Sequence, residues 1–253
     1  MKTYFPLHGI DQEDFFEFWD ILIYVEGAIY QLDELNEQIA AGTAGPATIN
    51  DVMRGVAVIK DVLEAKGLLT DAVRGELDDG LQFWEQERVF GAKMLANSKV
   101  PPNGHSPPLF FMDDVLAAAA KKSFDYRVLH LLLHALRDMP PSKDLLEFLL
   151  VDEKLVDLGD DLSDYEDDVC SNSFNIYRLY VHLYGRKAPL RLVERISALE
   201  TRHAELLGHL PTQLQDIYKT RMANAAEAPG ALRWTFPTPI LNESAYRAEH
   251  SNS

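Results

Sequence analysis

Residues 152–168 read DEKLVDLGDDLSDYEDD and contain nine acidic residues and one basic residue. On a helix, the aspartates at positions 157, 161, 164 and 168 fall on one stripe. Like charges one turn apart destabilise the helix that carries them, so the stripe indicates a bound cation. Oxygen ligands on successive turns suit Mg²⁺ better than zinc. The competing interpretation is a solvated acidic surface, which is what most charge runs are.

The acidic residues are concentrated rather than evenly spread. The chain has 253 residues, of which 40 are acidic and 24 basic, and residues 152–168 supply about half of the net charge of −16. This balance argues against nucleic acid as a partner, because the phosphates would be repelled. The densest basic stretch, residues 186–195, holds only Arg186, Lys187, Arg191 and Arg195.

The remaining bulk features predict a cytoplasmic protein. Cys170 is the only cysteine, so no intrachain disulfide can form, and its acidic surroundings make it a poor nucleophile. The N-terminal residues lack the basic and apolar regions of a signal peptide. No apolar run approaches the roughly 18 residues that a membrane span needs.

Helical periodicity dominates the chain, and no convincing alternating strand is present. We therefore predict an all-α protein, a single-domain helical bundle of about eight or nine helices over residues 1–253. Its core covers about 11–225, and a tail at 226–253 is expected to be partly packed or flexible. The predicted helices are 11–41, about 50–66, about 70–96, 109–122, 124–138, 143–169, 174–184, 189–207 and 211–224, with a loop at 98–108. Thr70 and Ser142 are predicted to cap the third and the sixth of these helices.

The longest stripe of apolar residues lies on the helix predicted at 143–169. It runs through Phe148, Val151, Leu155, Leu158, Leu162, Tyr165 and Val169. The acidic stripe is offset from it by one residue, a rotation of roughly 100°. The carboxylates are therefore expected at the edge of the buried face, at the mouth of a cleft.

The first predicted helix carries a second acidic group. Its apolar stripe of Trp19, Leu22, Ile23 and Tyr30 continues at helical spacing into Glu26, Asp33 and Glu37. Unpaired buried charges are costly, so these acids also suggest a cation. Two acidic helices facing each other across an apolar cavity would bracket a cluster of divalent ions. The alternative is that Asp33 pairs with an arginine while its acidic neighbours are exposed.

The two acidic segments resemble the aspartate-rich motifs of the class I isoprenoid synthases, which include terpene synthases and trans-prenyl diphosphate synthases. Residues 160–164 form a D-D-x-x-D motif, and residues 33–37 form the variant D-E-x-x-E. The resemblance spans roughly residues 15–235 and implies an isoprenoid-synthase-like helical fold around an apolar cavity. It implies that Mg²⁺ is the cofactor and that the motifs hold it against a substrate diphosphate. The implied metal ligands are Asp33, Glu34, Glu37, Asp160, Asp161 and Asp164.

The terpene-synthase pattern N/D-D-x-x-S/T-x-x-x-E gives a second alignment. Placed on Ser163, it would use Gly159, Asp160, Ser163 and Asp167, where Gly159 lacks a ligand. We prefer the D-D-x-x-D alignment.

The resemblance also implies residues that contact the substrate. Arginines of the family bind the diphosphate, and the counterparts here are Arg127, Arg178 and Arg233. Aromatic walls stabilise the carbocation through cation–π contacts. The candidates, each of which is otherwise an ordinary core residue, are Tyr24, Tyr30, Phe83, Trp84, Phe90, Phe124 and Tyr126.

The implied activity is ionisation of a prenyl diphosphate by a terpene cyclase or lyase, or by a prenyltransferase. The chain departs from the family in its short length, its two glutamates in the first motif and the lack of a recognisable basic isopentenyl-diphosphate site. We assign no catalytic residue. The partner we expect is the prenyl diphosphate; a homodimer stays open. The alternative function is a catalytically inactive helical binding or scaffold protein whose acidic face takes a basic partner.

Two other constellations give weaker signals. Di-iron bundles use paired Glu-x-x-His motifs, and only Glu200 with His203 matches. His130 and His134 lie one turn apart, but packing or capping roles are the more common use of such a pair.

Overall fold

The structure is a computed structural model that describes residues 5–10, 12–45, 48–99, 109–226 and 234–250, with side chains described except at 12–15 and 224–226. These ranges hold no β-strand, which confirms the predicted all-α class. Their helices are α1 (Gln12–Ala40), α2 (Thr48–Ala65), α3 (Asp71–Ala96), α4 (Met112–Ala119), α5 (Phe124–Leu136), α6 (Lys143–Ser163), α7 (Tyr165–Ser171), α8 (Ile176–Tyr184), α9 (Ala188–His209), α10 (Thr212–Ala226) and α11 (Glu243–His250), with short 3₁₀-helices at Phe5–His8 and Gly185–Lys187.

Several helix starts follow from side-chain caps. The Thr70 hydroxyl accepts a hydrogen bond from the Val73 amide at 3.2 Å, and the Ser142 hydroxyl accepts one from the Leu145 amide at 3.4 Å. Both residues were predicted to cap these helices, because their oxygens satisfy amides that the first turn leaves without partners. Most of the predicted loop at 98–108 lies outside the described residues.

The helix predicted at 143–169 is divided in two. Its apolar stripe is buried throughout, as predicted, but α6 ends at Ser163 and α7 begins at Tyr165. The Asn175 side-chain amide donates a hydrogen bond at 2.5 Å to the Asp161 carbonyl, the group that a continuous helix would pair with the Tyr165 amide. A side chain inserted into the hydrogen-bond ladder breaks a helix. This break and α11 account for a helix count above the predicted eight or nine.

The prediction of the buried face of α1 is wrong, because the helix turns a different face towards the core. Leu22 is buried, but Trp19, Ile23 and Tyr30 are 37%, 40% and 53% exposed. An aliphatic series that extends further along the helix occupies the interface with α2, α3 and α5 instead. Its members are Ile21, Leu22, Val25, Ile29 and Leu32, followed by the buried Asn36.

Two groups of helices pack around one continuous hydrophobic cluster. Helix α1 packs against α2, α3 and α5, while α6 packs against α8 and α9. Helices α3 and α5 approach closely at Gly80, where an added Cβ would overlap the ring of Phe124. A side chain at position 80 would therefore push Phe124 out of its place.

Residues 234–250 of the tail pack on the helices. This agrees with the expectation of a packed tail, which was one of the two that we stated. Its Pro237 carbonyl accepts a hydrogen bond from the Tyr177 hydroxyl at 2.8 Å, and its Ile240 amide donates one to Tyr165 at 2.9 Å. Glu243, at the start of α11, is 1% exposed.

None of the described helices combines the length and the apolar character that crossing a membrane requires.

Candidate functional site

The acids of the two sequence motifs meet at one cavity of about 310 Å³, which we call the acidic cavity. Helix α1 borders it on one side, and α6 and α7 border it on another. Nine carboxylate side chains line it: Asp33, Glu37, Glu87, Asp125, Asp157, Asp160, Asp161, Asp164 and Asp168. Two predicted acidic segments far apart in the chain are therefore brought together.

Helix α1 contributes Asp33 and Glu37, but not Glu34. Asp33 is half-buried and accepts a hydrogen bond from the Trp84 indole at 2.6 Å, so it does not pair with an arginine. Glu37 is exposed at the cavity. Glu34 is exposed and does not line the cavity. It follows Asp33 directly, so it points in a direction rotated by roughly 100° around the helix axis.

Some acids of α6 and α7 have protein partners. Asp161 accepts a hydrogen bond from the Ile176 amide at 2.7 Å, which places it at the start of α8. Asp157 accepts one from the Ser123 hydroxyl at 2.7 Å, and Asp168 accepts one from the Asn175 amide at 2.8 Å.

Asp160 and Asp164 differ from these three acids. Both are exposed, and neither side chain has a hydrogen-bond partner among the described residues. The rim of the cavity is thus more available to a ligand than its floor.

One described cationic side chain lines the acidic cavity, and it belongs to Lys122 in the segment between α4 and α5. Its ammonium lies 2.5 Å from an oxygen of Asp161. The charges of Asp161 and Asp157 raise the pKa of Lys122 despite the opposing effect of burial, so the lysine stays charged. A single ammonium cannot neutralise nine carboxylates.

The excess of negative charge appears in the pKa values of the lining acids. Burial raises the pKa of Glu87 to about 7, and the charge of Asp33 adds to this effect. Burial, followed by the charge of Glu26, raises the pKa of Asp125 to about 7. Burial likewise raises the pKa values of Asp157 and Asp168 to about 6 each. These groups would be easier to ionise with a further cation present.

The rest of the cavity wall is largely aromatic. Trp84 and Phe124 meet edge-to-face with their ring centroids 5.2 Å apart, and Phe83 meets Phe174 in the same way at 5.3 Å. Of the predicted wall residues, those that line the cavity are Tyr30, Phe83, Trp84, Phe124 and Tyr126. Tyr24 and Phe90 do not, and the cavity is not the purely apolar hollow that we expected because carboxylates cover much of it.

The predicted diphosphate-binding arginines lie elsewhere. Arg127 pairs with Glu76 at 2.7 Å and with Glu153, and it also donates to main-chain carbonyls before α5. Arg178 is fully buried and forms a two-pronged pair with Glu243 at 2.8 and 2.7 Å. Neither lines the acidic cavity. Arg233 lies outside the described residues.

The donor chemistry of the cavity fits Mg²⁺, because all its acidic donors are oxygens. Among the described residues, no three histidine, cysteine, aspartate or glutamate side chains are gathered closely enough to hold one metal ion. Mg²⁺ commonly uses one or two carboxylates together with water and substrate phosphates. The cavity therefore offers Mg²⁺ oxygen donors, but the described residues hold no preformed site of three ligands.

The other predicted metal pairs have different roles. His203 lies 3.1 Å from Asp152, whereas Glu200 accepts a hydrogen bond from the Trp234 indole, so they do not act as one pair. His130 lies 2.7 Å from His8 of the N-terminal 3₁₀-helix, and His134 packs edge-on against the same ring. Cys170 is exposed.

Sequence reasoning missed several lining residues. Glu87, Asp125 and Phe174 come from other elements, and their positions follow from packing between α3, α5 and the segment before α8. Asp157 and Asp168 were on the predicted acidic stripe but outside the D-D-x-x-D motif. The helical spacing of that stripe was the signal that identified these two aspartates, whereas no local spacing indicated Glu87, Asp125 or Phe174.

Comparison of the chain with family models, with curated proteins and with solved structures gives no match.

Proposed function

We propose that the protein is a Mg²⁺-dependent isoprenoid-synthase-like enzyme that ionises a prenyl diphosphate, as a terpene cyclase or lyase or as a prenyltransferase. The observation that supports this most is the meeting of acids from α1 and from α6–α7 at one cavity with an aromatic wall. The resemblance of the two acidic motifs requires this meeting, whereas two solvated acidic surfaces do not require it.

The metal would be held by the acids of the cavity rim. Asp33 and Glu37 on one side, and Asp160 and Asp164 on the other, have carboxylate oxygens available at the cavity. When bound, Mg²⁺ supplies Lewis-acid stabilisation of the charge on the leaving diphosphate. The raised pKa values of the lining acids support this assignment, because a divalent ion offsets the repulsion that raises them.

The lining residues suggest a further alignment of the terpene-synthase pattern. Starting the pattern at Asp160 places aspartates at its first, second, fifth and ninth positions, which are residues 160, 161, 164 and 168. All four line the acidic cavity, whereas Gly159, Ser163 and Asp167 of the other alignment do not.

The chain's own residues would perform the remaining tasks. Lys122 is positioned to bind a diphosphate oxygen, a role that we now assign to it rather than to Arg127 and Arg178. The faces of Trp84, Phe124 and the other wall aromatics would stabilise an allylic cation. The cavity volume of about 310 Å³ lies at the small end for ligand sites, which favours a short prenyl chain.

Incubation with geranyl, farnesyl and geranylgeranyl diphosphates plus Mg²⁺ tests the proposal. We expect released diphosphate and a hydrocarbon, alcohol or longer prenyl product by gas chromatography and mass spectrometry. Glu37→Gln and Asp164→Asn should lose most of the turnover, while the matched controls Glu34→Gln and Asp167→Asn should keep it. Absence of turnover with all three substrates would overturn the enzymatic assignment.

One observation favours a second function, a binding protein for a basic partner. Glu37, Asp160 and Asp164 are exposed at the rim, and neither aspartate has a described partner. A cationic segment would be attracted to this rim by charge complementarity. Binding of a lysine-rich peptide that survives in EDTA, without any turnover of prenyl diphosphates, would support this function over the first.

A further inference from the structure

A second and smaller hollow of about 40 Å³ lies between α4, α6, α8 and α9. We call it the basic pocket, because the side chains of Lys122, Lys154 and Arg195 line it. It shares Lys122, Asp157 and other wall residues with the acidic cavity, so the two spaces are neighbours. Three cations at one small pocket are unusual in a chain that carries a net charge of −16.

Two of these cations differ from the other buried bases of the protein. Arg127, Arg178 and Arg221 each pair with a carboxylate, as Lys122 does with Asp161. Lys154 and Arg195, although half-buried, make no hydrogen bond or ion pair with any described residue. The donors of these two half-buried bases are therefore available to an anionic ligand at the pocket.

The two bases also lie close enough to repel each other. The pKa of Lys154 is lowered first by burial and next by the charge of Arg195. Glu153 and Asp157 offset part of this repulsion, and an anion between the two half-buried bases would reduce it further.

The carboxylates at the same pocket are already engaged. Asp161 accepts hydrogen bonds from Lys122 and from the Ile176 amide, and Asp157 accepts one from Ser123. The start of α8 at Ile176 also lines the pocket and presents the positive end of a helix dipole. The side of the pocket formed by Lys154 and Arg195 therefore attracts anions.

We propose that Lys154 and Arg195 form a binding site for a single phosphate group, distinct from the diphosphate position at the acidic cavity. The volume of about 40 Å³ matches roughly three water molecules, which is near the space of one phosphate and too little for two. Arginine can bind two phosphate oxygens at once, and lysine adds a point charge. The phosphate is either a free ion or the end of a monoester, and this site does not depend on the reaction proposed above.

Titration of the full chain with inorganic phosphate tests the site, by isothermal calorimetry in EDTA at constant ionic strength. We expect saturable binding of one phosphate per chain. Lys154→Met and Arg195→Met should each weaken it tenfold or more, and Arg195→Lys should keep part of it. Arg191→Met, which removes an exposed arginine one turn away on α9 that already pairs with Glu194, should leave it unchanged.

Two further measurements distinguish loss of this site from unfolding and from binding of phosphate at the acidic cavity. Without phosphate, Lys154→Met should be as stable as the original chain or more so, because a repulsion is removed; this excludes unfolding as the cause of lost binding. Asp160→Asn and Asp164→Asn should not weaken phosphate binding, whatever they do to turnover, because they remove negative charge from the neighbouring cavity. Tighter binding of glycerol 3-phosphate than of free phosphate would identify a monoester as the ligand, and weaker binding would identify the free ion. Absence of phosphate binding, or equal binding by Lys154→Met and Arg191→Met, would overturn the proposal.

Discussion

Buried charge is arranged in opposite ways at two places in this molecule. Where the tail meets α8, Glu243 is surrounded by Arg178, His182 and Arg247, and hydrogen bonds from Arg178 and His182 lower its pKa to about 2 against the cost of burial. At the acidic cavity, burial without sufficient compensation raises the pKa of Glu87 to about 7. Balanced charge holds two segments together at the tail, whereas the charge at the acidic cavity is left unbalanced, and it is there that we propose a ligand.

The largest effect is expected at the balanced group. Glu243→Gln removes the anion that faces the fully buried Arg178, and we expect a loss of about 3–5 kcal/mol in the free energy of unfolding, measured with urea. Glu249→Gln, an exposed change on the same helix, should alter stability by less than about 0.5 kcal/mol. Equal stability of the two variants would show that the Arg178–Glu243 pair does not hold the tail.

A smaller loss of stability is expected at the acidic cavity when its lysine is replaced. Lys122→Met leaves the buried Asp161 without its ammonium partner, and we expect a loss of about 2–3 kcal/mol in EDTA. Mg²⁺ at tenfold its dissociation constant should restore about 1.4 kcal/mol, because it binds the folded chain. Mg²⁺ should stabilise Glu243→Gln no more than it stabilises the original chain. The stability of both variants with and without Mg²⁺ can be compared by thermal unfolding.

A gain in stability is expected when one cavity charge is neutralised. Asp125→Asn should raise the free energy of unfolding by about 2 kcal/mol at pH 8, since the folded state then carries no poorly compensated anion at this position. The folded pKa of Asp125 is about 7, above its ordinary 3.8, so its destabilising effect is present above pH 7 and disappears as the pH falls towards 4.

The advantage of Asp125→Asn should accordingly shrink between pH 8 and pH 5. Asp113→Asn, which removes an exposed acid from the first turn of α4, serves as the control and should show no such trend. A pH-independent gain from Asp125→Asn would contradict the assigned environment of this carboxyl group.

The smallest effect is expected on Mg²⁺ affinity, and it distinguishes two acids of α1 that lie three residues apart. Glu37→Gln should weaken Mg²⁺ binding about tenfold in the presence of inorganic diphosphate, which corresponds to about 1.4 kcal/mol. Glu34→Gln should leave the affinity unchanged, because Glu34 does not line the cavity. Calorimetry of both variants distinguishes a metal-binding rim from general electrostatic attraction, which would be weakened equally by either change.

The sequence was sufficient to predict the helical class, the caps at Thr70 and Ser142, and the buried stripe of α6. It was also sufficient to predict that the acids near Asp33 and Asp161 share one cavity. The class, the caps and the stripe depend on local periodicity and on residues close in the chain, whereas the expectation of a shared cavity came from the resemblance of the two acidic motifs. The buried face of α1 was assigned wrongly because its aromatic and aliphatic series have similar spacing, and only packing against neighbouring helices decides between them.

The arginines illustrate what periodicity leaves undetermined. Arg178 and Glu243 are 65 residues apart, so nothing in the local sequence indicated that this arginine would be committed to an ion pair. The position of Lys122 likewise depends on how α4 leads into α5. The cation nearest to the acids was therefore missed, although the acids themselves were found.

The buried Glu243 also sets a practical boundary for experiments on this protein. Any shortened version that stops before residue 243 keeps the fully enclosed Arg178 but loses the carboxylate that makes its enclosure tolerable. Such versions should aggregate during expression, and fragment libraries or crystallisation trials should retain everything through α11.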